Sequence, residues 1–161
     1  MWSTMPALDY FEDLLAESER IEKIKRNLAL LDSRISPHAQ GFEPMGHGGG
    51  SSDRMLALAI LSAKFGDLRA KLPDLERMHE EKLKRATEVL YGKSGRGGLA
   101  KVTCTDDADM LCFHYLQGES WASIARRYEP ETSNLTVWCK RRAKQVCRTI
   151  DRIGMDTLAN S

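Results

Sequence analysis

Hydrophobic positions in the last third of the chain recur at intervals of three and four residues, as they do in amphipathic helices. They predict a short helix from Trp121 to Tyr128, with Ser120 as its capping residue. Glu129-Pro130-Glu131 then ends this helix, because proline cannot continue one. A longer helix follows, and Thr132 or Ser133 is predicted to cap it. Its apolar stripe comprises Leu135, Cys139, Ala143, Val146, Ile150 and Ile153.

The opposite face of this longer helix is polar and positively charged. Between Thr132 and Ile150 the chain has five basic residues and no acidic one. Solvated helices usually mix both signs, whereas a helix that docks in the major groove of DNA presents cationic and amide side chains. The pattern therefore favours DNA binding over a helix whose charges only aid solubility.

Two groups of side chains are predicted to contact double-stranded DNA. Asparagine and arginine can each form paired hydrogen bonds with base edges, whereas other basic residues and a hydroxyl at a helix N-terminus suit phosphates. The predicted base contacts are Asn134, Trp138 and Arg141. The predicted backbone contacts are Ser120, Arg126, Arg127, Lys140, Arg142, Lys144 and Arg148. For Trp138, packing against Tyr128 is the alternative.

The first half of the chain has a heptad pattern. A helix is predicted over residues 6–35, and its length of about 43 Å is too great for a compact core element, so it needs a partner helix. The partner is predicted over residues 51–91, where Pro73 predicts a kink or break near Lys71 and Leu72. An antiparallel coiled-coil hairpin is one arrangement, and parallel self-association as a homodimer through the same seams is the other. The heptad positions of the first helix include Leu14, Ile21, Leu28 and Ile35.

Charge distribution supports this division, although the net charge is only +1. Residues 1–36 contain five basic and seven acidic side chains, whereas residues 119–152 contain eight basic and four acidic ones. The C-terminal end is therefore the predicted polyanion-binding end. No apolar run approaches the roughly 20 residues of a membrane span, and no secretory signal is visible. A cytoplasmic protein without a membrane partner is expected, and its four cysteines are expected to be reduced.

No pattern of catalytic or metal-binding residues emerges. His47 stands among glycines without a second ligand nearby. Gly92-Lys93-Ser94 resembles the end of a phosphate-binding loop, but Thr87 occupies the position of the required glycine. Cys112 and His114 are predicted to lie on different faces of a helix. We therefore expect no enzyme, no metal and no cofactor.

These elements predict an all-α protein. Residues 1–91 would form the long antiparallel helical hairpin, residues 92–104 a linker, and residues 105–161 a three-helix, helix-turn-helix domain. The first helix of that domain is predicted from Ala108 to Leu116, is capped by Thr105-Asp106-Asp107 and braces the other two.

Two segments resemble a known family. Residues 115–125 (YLQGESWASIA) resemble the YLxGxSWxxIA signature of phage-encoded regulators with a sigma-factor region-four-like helix-turn-helix. Residues 45–53 (MGHGGGSSD) are similar to the glycine-rich connector between the N-terminal helices of the same proteins, which include the RinA-like and ArpU-like late-transcription regulators. The resemblance implies a helical protein that binds promoter or operator DNA, with RNA polymerase as a candidate second partner.

Two alternative functions fit the same pattern. A phage terminase small subunit also joins a helix-turn-helix to an oligomerising helical hairpin, and it would form a ring-shaped oligomer. A coiled-coil interaction protein would use the N-terminal helices without contacting DNA.

Overall fold

The computed structural model describes residues 5–35, 51–128 and 135–161, and all regular elements in these ranges are helices. The described part of the chain is therefore all-α, as the sequence predicts. None of its helices has the length and apolarity needed to span a bilayer. The elements in chain order are α1 (Ala7–Ile35), α2 (Ser51–Tyr91), α3 (Gly98–Val102), α4 (Thr105–Leu111), a π-helix (Cys112–Leu116), α5 (Trp121–Tyr128), α6 (Leu135–Ile153) and α7 (Met155–Ala159).

The two long helices begin and end close to the predicted residues. Of the predicted kink or break near Lys71 and Leu72, the break is absent, since α2 continues through Pro73. Proline removes one backbone hydrogen bond from a helix. The carbonyl group that loses its partner is that of Arg69, an exposed residue that water can reach.

The described chain divides into two compact units. The first unit contains the described residues of Met1–Ser18 and His79–Ser161, and the second unit is Glu19–Met78. This division differs from the predicted boundaries at residues 91 and 105. The reason is that the start of α1 and the end of α2 contribute buried side chains, Phe11 and Leu90 among them, to the same core as the C-terminal helices.

A single hydrophobic core holds most of the first unit together. Among the described residues, six of the seven α-helices contribute buried apolar side chains to it, and Trp121 of α5 packs against it. α5 is attached through a smaller cluster of Met110, Ile124, Ala125 and Cys139. The large, fully buried side chains of the main core are Phe11, Leu14, Val89, Leu90, Leu99, Leu111, Val146, Ile150 and Leu158.

The glycine-rich segment after α2 is part of this core and not a separate linker. Leu99 is fully buried. A Cβ atom on Gly97 would lie 2.3 Å from the backbone oxygen of Ser161, and one on Gly98 would lie 2.5 Å from the backbone nitrogen of Gly92. Only glycine allows these backbone segments to approach so closely. The predicted linker, residues 92–104, therefore includes α3 and packs against the end of the chain.

Within the second unit, α1 and α2 are joined by ion pairs. Lys25 Nζ lies 2.6 Å from Glu76 Oε1, and Arg69 Nη2 lies 2.5 Å from Asp32 Oδ1. The partners are matched in opposite order along the two helices. The predicted heptad positions Ile21 and Leu28 are buried, as is Leu31.

Candidate nucleic-acid interface

α6 is positioned by its apolar stripe. The predicted stripe residues Cys139, Ala143, Val146 and Ile150 are all buried, and Cys147 is buried beside them. These side chains fix which face of α6 is left in solvent, because a helix cannot rotate without exposing its stripe.

α5 is held in place at its N-terminus and along one side. Ser120 Oγ accepts a hydrogen bond from the Ser123 backbone nitrogen at 3.2 Å, so Ser120 caps α5 as predicted. Ile124 and Ala125 pack against Cys139 of α6 in the smaller cluster. The turn between α5 and α6, including Thr132, Ser133 and Asn134, lies outside the described residues.

Aromatic rings surround the start of α5. The rings of His114 and Trp121 are stacked with centroids 4.0 Å apart, and Tyr115 meets both edge-on. His114 Nδ1 lies 2.6 Å from the Glu119 backbone oxygen. Tyr115 and Trp121, which belong to the segment of residues 115–125, therefore pack together with His114 inside the protein. Burial raises the pKa of Tyr115 above its usual value, in keeping with this packing.

The face of α6 opposite the stripe is exposed and cationic. Val137 and Trp138 are 51% and 52% exposed, so the side chain of Trp138 is not packed into the core. Among the described residues, Trp138 has no ring contact with Tyr128. The exposed basic side chains on this helix before Asp151 are Lys140, Arg141, Lys144 and Arg148.

These four cations have no partner within residues 5–35, 51–128 and 135–161. No hydrogen bond or ion pair joins any of them to a side chain in those ranges. From Trp138 to Arg148 the helix rises about 15 Å, which is comparable with the width of the DNA major groove. Arg126 of α5 is exposed and is likewise without a partner in the described residues.

Arg142 differs from its neighbours because it binds Asp107. Its Nε donates to Asp107 Oδ1 at 2.8 Å, and its Nη2 donates to Oδ2 at 2.7 Å. The Asp107 side chain is 3% exposed and that of Arg142 is 32% exposed. Burial raises the pKa of Asp107, but hydrogen bonds from Arg142, Cys104 and Thr103 outweigh it, so the pKa lies below its usual value. This pair links α4 to α6.

Arg127 is also engaged inside the protein. Its guanidinium forms an ion pair with Glu119 and lies over the Phe113 ring, 4.3 Å from the centroid. Arg127 and Arg142 therefore stabilise the helical arrangement, although the sequence places them among the phosphate contacts. The sequence gives no sign of either partner, because Asp107 and Glu119 are separated from them by 35 and 8 residues.

The structure brings five of the predicted contact residues onto one exposed side of α6: Trp138, Lys140, Arg141, Lys144 and Arg148. Val137, which was not predicted as a contact, is on the same exposed side. The sequence could have indicated Val137, because it is an apolar residue that lies outside the apolar stripe of α6. In the described residues no group of acidic, histidine and cysteine side chains is arranged to hold a metal ion.

Comparison of the chain with protein-family models, curated proteins and solved structures gives no match. The interpretation of this site therefore depends on its geometry and on the sequence pattern.

Proposed function

We propose that this protein is a sequence-specific DNA-binding transcription regulator of the phage or prophage type, with a sigma-factor region-four-like helix-turn-helix. In this proposal α5 and α6 form the helix-turn-helix, and α4 with the π-helix braces them. α6 is the helix that enters the major groove.

The exposed cationic face of α6 carries the proposal. Four basic side chains along one helix, each without an internal partner among the described residues, form a surface that attracts a polyanion. The exposed Trp138 and Val137 add apolar contacts on the same face, and apolar groups suit the methyl group of thymine. A helix kept only for solubility does not need to expose a tryptophan.

Individual roles combine the sequence pattern with the exposure and pairing of the described side chains; Asn134 is assigned from the sequence pattern alone. Asn134, Trp138 and Arg141 are proposed to contact bases. Phosphates are contacted by Arg126, Lys140, Lys144 and Arg148 and by the hydroxyl of Ser120. Arg127 and Arg142 are left out of this set because their guanidinium groups already bind carboxylates.

The N-terminal helices have a separate role in the proposal. α1 and the facing part of α2 form an antiparallel coiled-coil hairpin, supported by buried heptad positions and by the opposite order of the ion pairs. The family resemblance makes RNA polymerase the second proposed partner.

Selection of binding sites from random duplexes, followed by fluorescence anisotropy with the selected duplex, tests the proposal. Four cationic phosphate contacts predict a slope of about −3 to −4 for log affinity against log salt concentration. Lys144→Ala and Arg148→Ala should each reduce the size of the slope by about 1. Lys84→Ala, an exposed lysine on α2, is the matched control and should leave the slope unchanged.

Other outcomes would favour the alternative functions. Affinity for duplex DNA that does not depend on salt, or no binding at low salt, would contradict the proposal and leave an interaction protein. A ring-shaped oligomer that binds DNA would favour the terminase small subunit.

A further inference from the structure

The first turns of α2 carry two apolar faces, and this is unusual for a helix in water. One face contains Leu58, Leu61 and Phe65, at the predicted heptad positions, and Leu61 among them is 41% exposed. The other contains Leu56, Ala59, Ile60 and Ala63, spaced i, i+3, i+4, i+7, as on one side of an amphipathic helix. We call these four residues the outer patch. A helix that is apolar on all sides is normally buried on all sides.

The outer patch is exposed in the single chain. Leu56 is 60% exposed and Ile60 is 51% exposed, and Met55 at the edge is 68% exposed. Farther along the same side of α2 the exposed charged residues are Asp67, Lys71 and Asp74, and the exposed apolar residues Ala70 and Met78 are separated by charged ones. The continuous apolar surface is therefore at the beginning of the helix.

The lengths of α1 and α2 explain why nothing described in the second unit lies beside this part of α2. The Asp32–Arg69 ion pair places the last residue of α1, Ile35, about level with residue 66. α2 extends a further 15 residues to Ser51, which is about 22 Å. This extension holds the whole outer patch.

The charges at the ends of the extension are complementary to each other. Residues 55–63 are uncharged, and they lie between Asp53-Arg54 and Lys64. At 100° per residue Arg54 lies on the side of the helix away from the outer patch, whereas Asp53 lies on the side of the patch. Asp53 and Lys64 are eleven positions apart, or about three helical turns, so they lie on the same side of α2 beside Ile60. The midpoint between them falls at Leu58 and Ala59, the centre of the uncharged stretch.

We propose that the outer patch is a self-association surface on which the same segment of a second copy of this chain packs antiparallel. A two-fold arrangement buries the same patch on both copies. It places Asp53 of each copy beside Lys64 of the other, which gives two ion pairs per dimer. Alanine at two of the four positions allows the helix backbones to approach closely. The proposal does not depend on DNA binding, and its test contains no DNA.

Sedimentation equilibrium of the full-length chain tests the surface. The wild type should form a dimer, and the double variant Leu56→Glu/Ile60→Glu should be monomeric. Its dimer affinity should fall by roughly a hundredfold or more, because four carboxylates would enter the interface. The matched control is Ala70→Glu, which adds a charge at an exposed position of α2 beyond the patch and should remain dimeric. Circular dichroism verifies that each variant is helical.

Charge reversal tests the antiparallel geometry without depending on the apolar variants. Asp53→Lys alone and Lys64→Glu alone each place like charges together, so each should dimerise on the order of tenfold more weakly than the wild type. An equimolar mixture of the two variants should recover the wild-type affinity as a heterodimer, because every facing pair is again opposite in sign.

Three results would overturn the proposal. The first is a wild-type chain that stays monomeric throughout the concentration range. The second is an Leu56→Glu/Ile60→Glu variant that dimerises as tightly as the wild type. The third is single charge reversals that leave the dimer affinity unchanged, which would indicate parallel pairing or another surface.

Discussion

The ion pair between Asp107 and Arg142 provides the sharpest test of how α6 is held. Arg142→Ala would leave the Asp107 carboxylate, 3% exposed, without its main partner. Asp107→Ala would instead leave a guanidinium that is already 32% exposed and can turn towards water. Loss of the arginine should therefore destabilise the fold more than loss of the aspartate.

The magnitudes follow from burial and from the two hydrogen bonds of the pair. Removing one partner of a fully buried ion pair costs about 3–5 kcal/mol. Because Arg142 is partly exposed, solvent weakens this pair, and we expect Arg142→Ala to cost about 2–3 kcal/mol. Protonation of the orphaned carboxyl at pH 7 limits the loss to about 4 kcal/mol. For Asp107→Ala we expect about 1–2 kcal/mol.

Urea unfolding of the two single variants and the double variant, followed by circular dichroism, measures these losses. The double variant should be more stable than the sum of the single losses predicts, with a coupling of about 1–2 kcal/mol. Arg148→Ala is the control on the exposed face and should change stability by less than about 0.5 kcal/mol. Additive losses, or a larger loss for Asp107→Ala than for Arg142→Ala, would refute the reasoning.

Three further predictions concern the pH dependence of stability, two glycines and the cysteines. The folded-state pKa of Asp107 lies below its usual value of 3.8. The ionised Asp107 therefore stabilises the fold above pH 3.8, and this stabilisation is lost as the pH falls through the lowered pKa. In urea unfolding between about pH 5 and pH 2, Asp107→Asn should lose less stability than the wild type. Gly97→Ala should lower the thermal unfolding temperature, because its Cβ would lie 2.3 Å from the backbone oxygen of Ser161. Gly66→Ala is the contrasting variant: a Cβ there meets no atom within 4 Å, so alanine should stabilise α2 by about 0.5–1 kcal/mol. Burial raises the pKa of Cys147 to about 12, so a thiol reagent at neutral pH should label the exposed Cys104 first and Cys147 only on unfolding.

Local patterns in the sequence predicted most helices. The ends of α1 and α2 and the buried stripe of α6 follow from hydrophobic spacing and from glycine and proline positions, which depend on neighbouring residues alone. The helix predicted from Ala108 to Leu116 is present as α4 followed by the π-helix. The short helices α3 and α7 were missed, because five residues are too few to show a period.

The candidate site was predicted in part for the same reason. Spacing identified the polar face of α6, and the structure exposes Arg141, Lys144 and Arg148 on it. Spacing could not show that Arg142 and Arg127 bind carboxylates, because those contacts depend on how separate helices meet.

The sequence by itself determined the helical class, the long helices and the side of α6 that is buried, because periodicity encodes which face of a helix avoids water. Only the tertiary structure decided which residues share a core and which cations are already paired. It joined the start of α1 and the end of α2 to the C-terminal helices, and it packed the glycine-rich segment beneath the end of the chain. Such contacts join residues far apart in the chain, and hydrophobic spacing carries no information about which distant partner a buried face will meet.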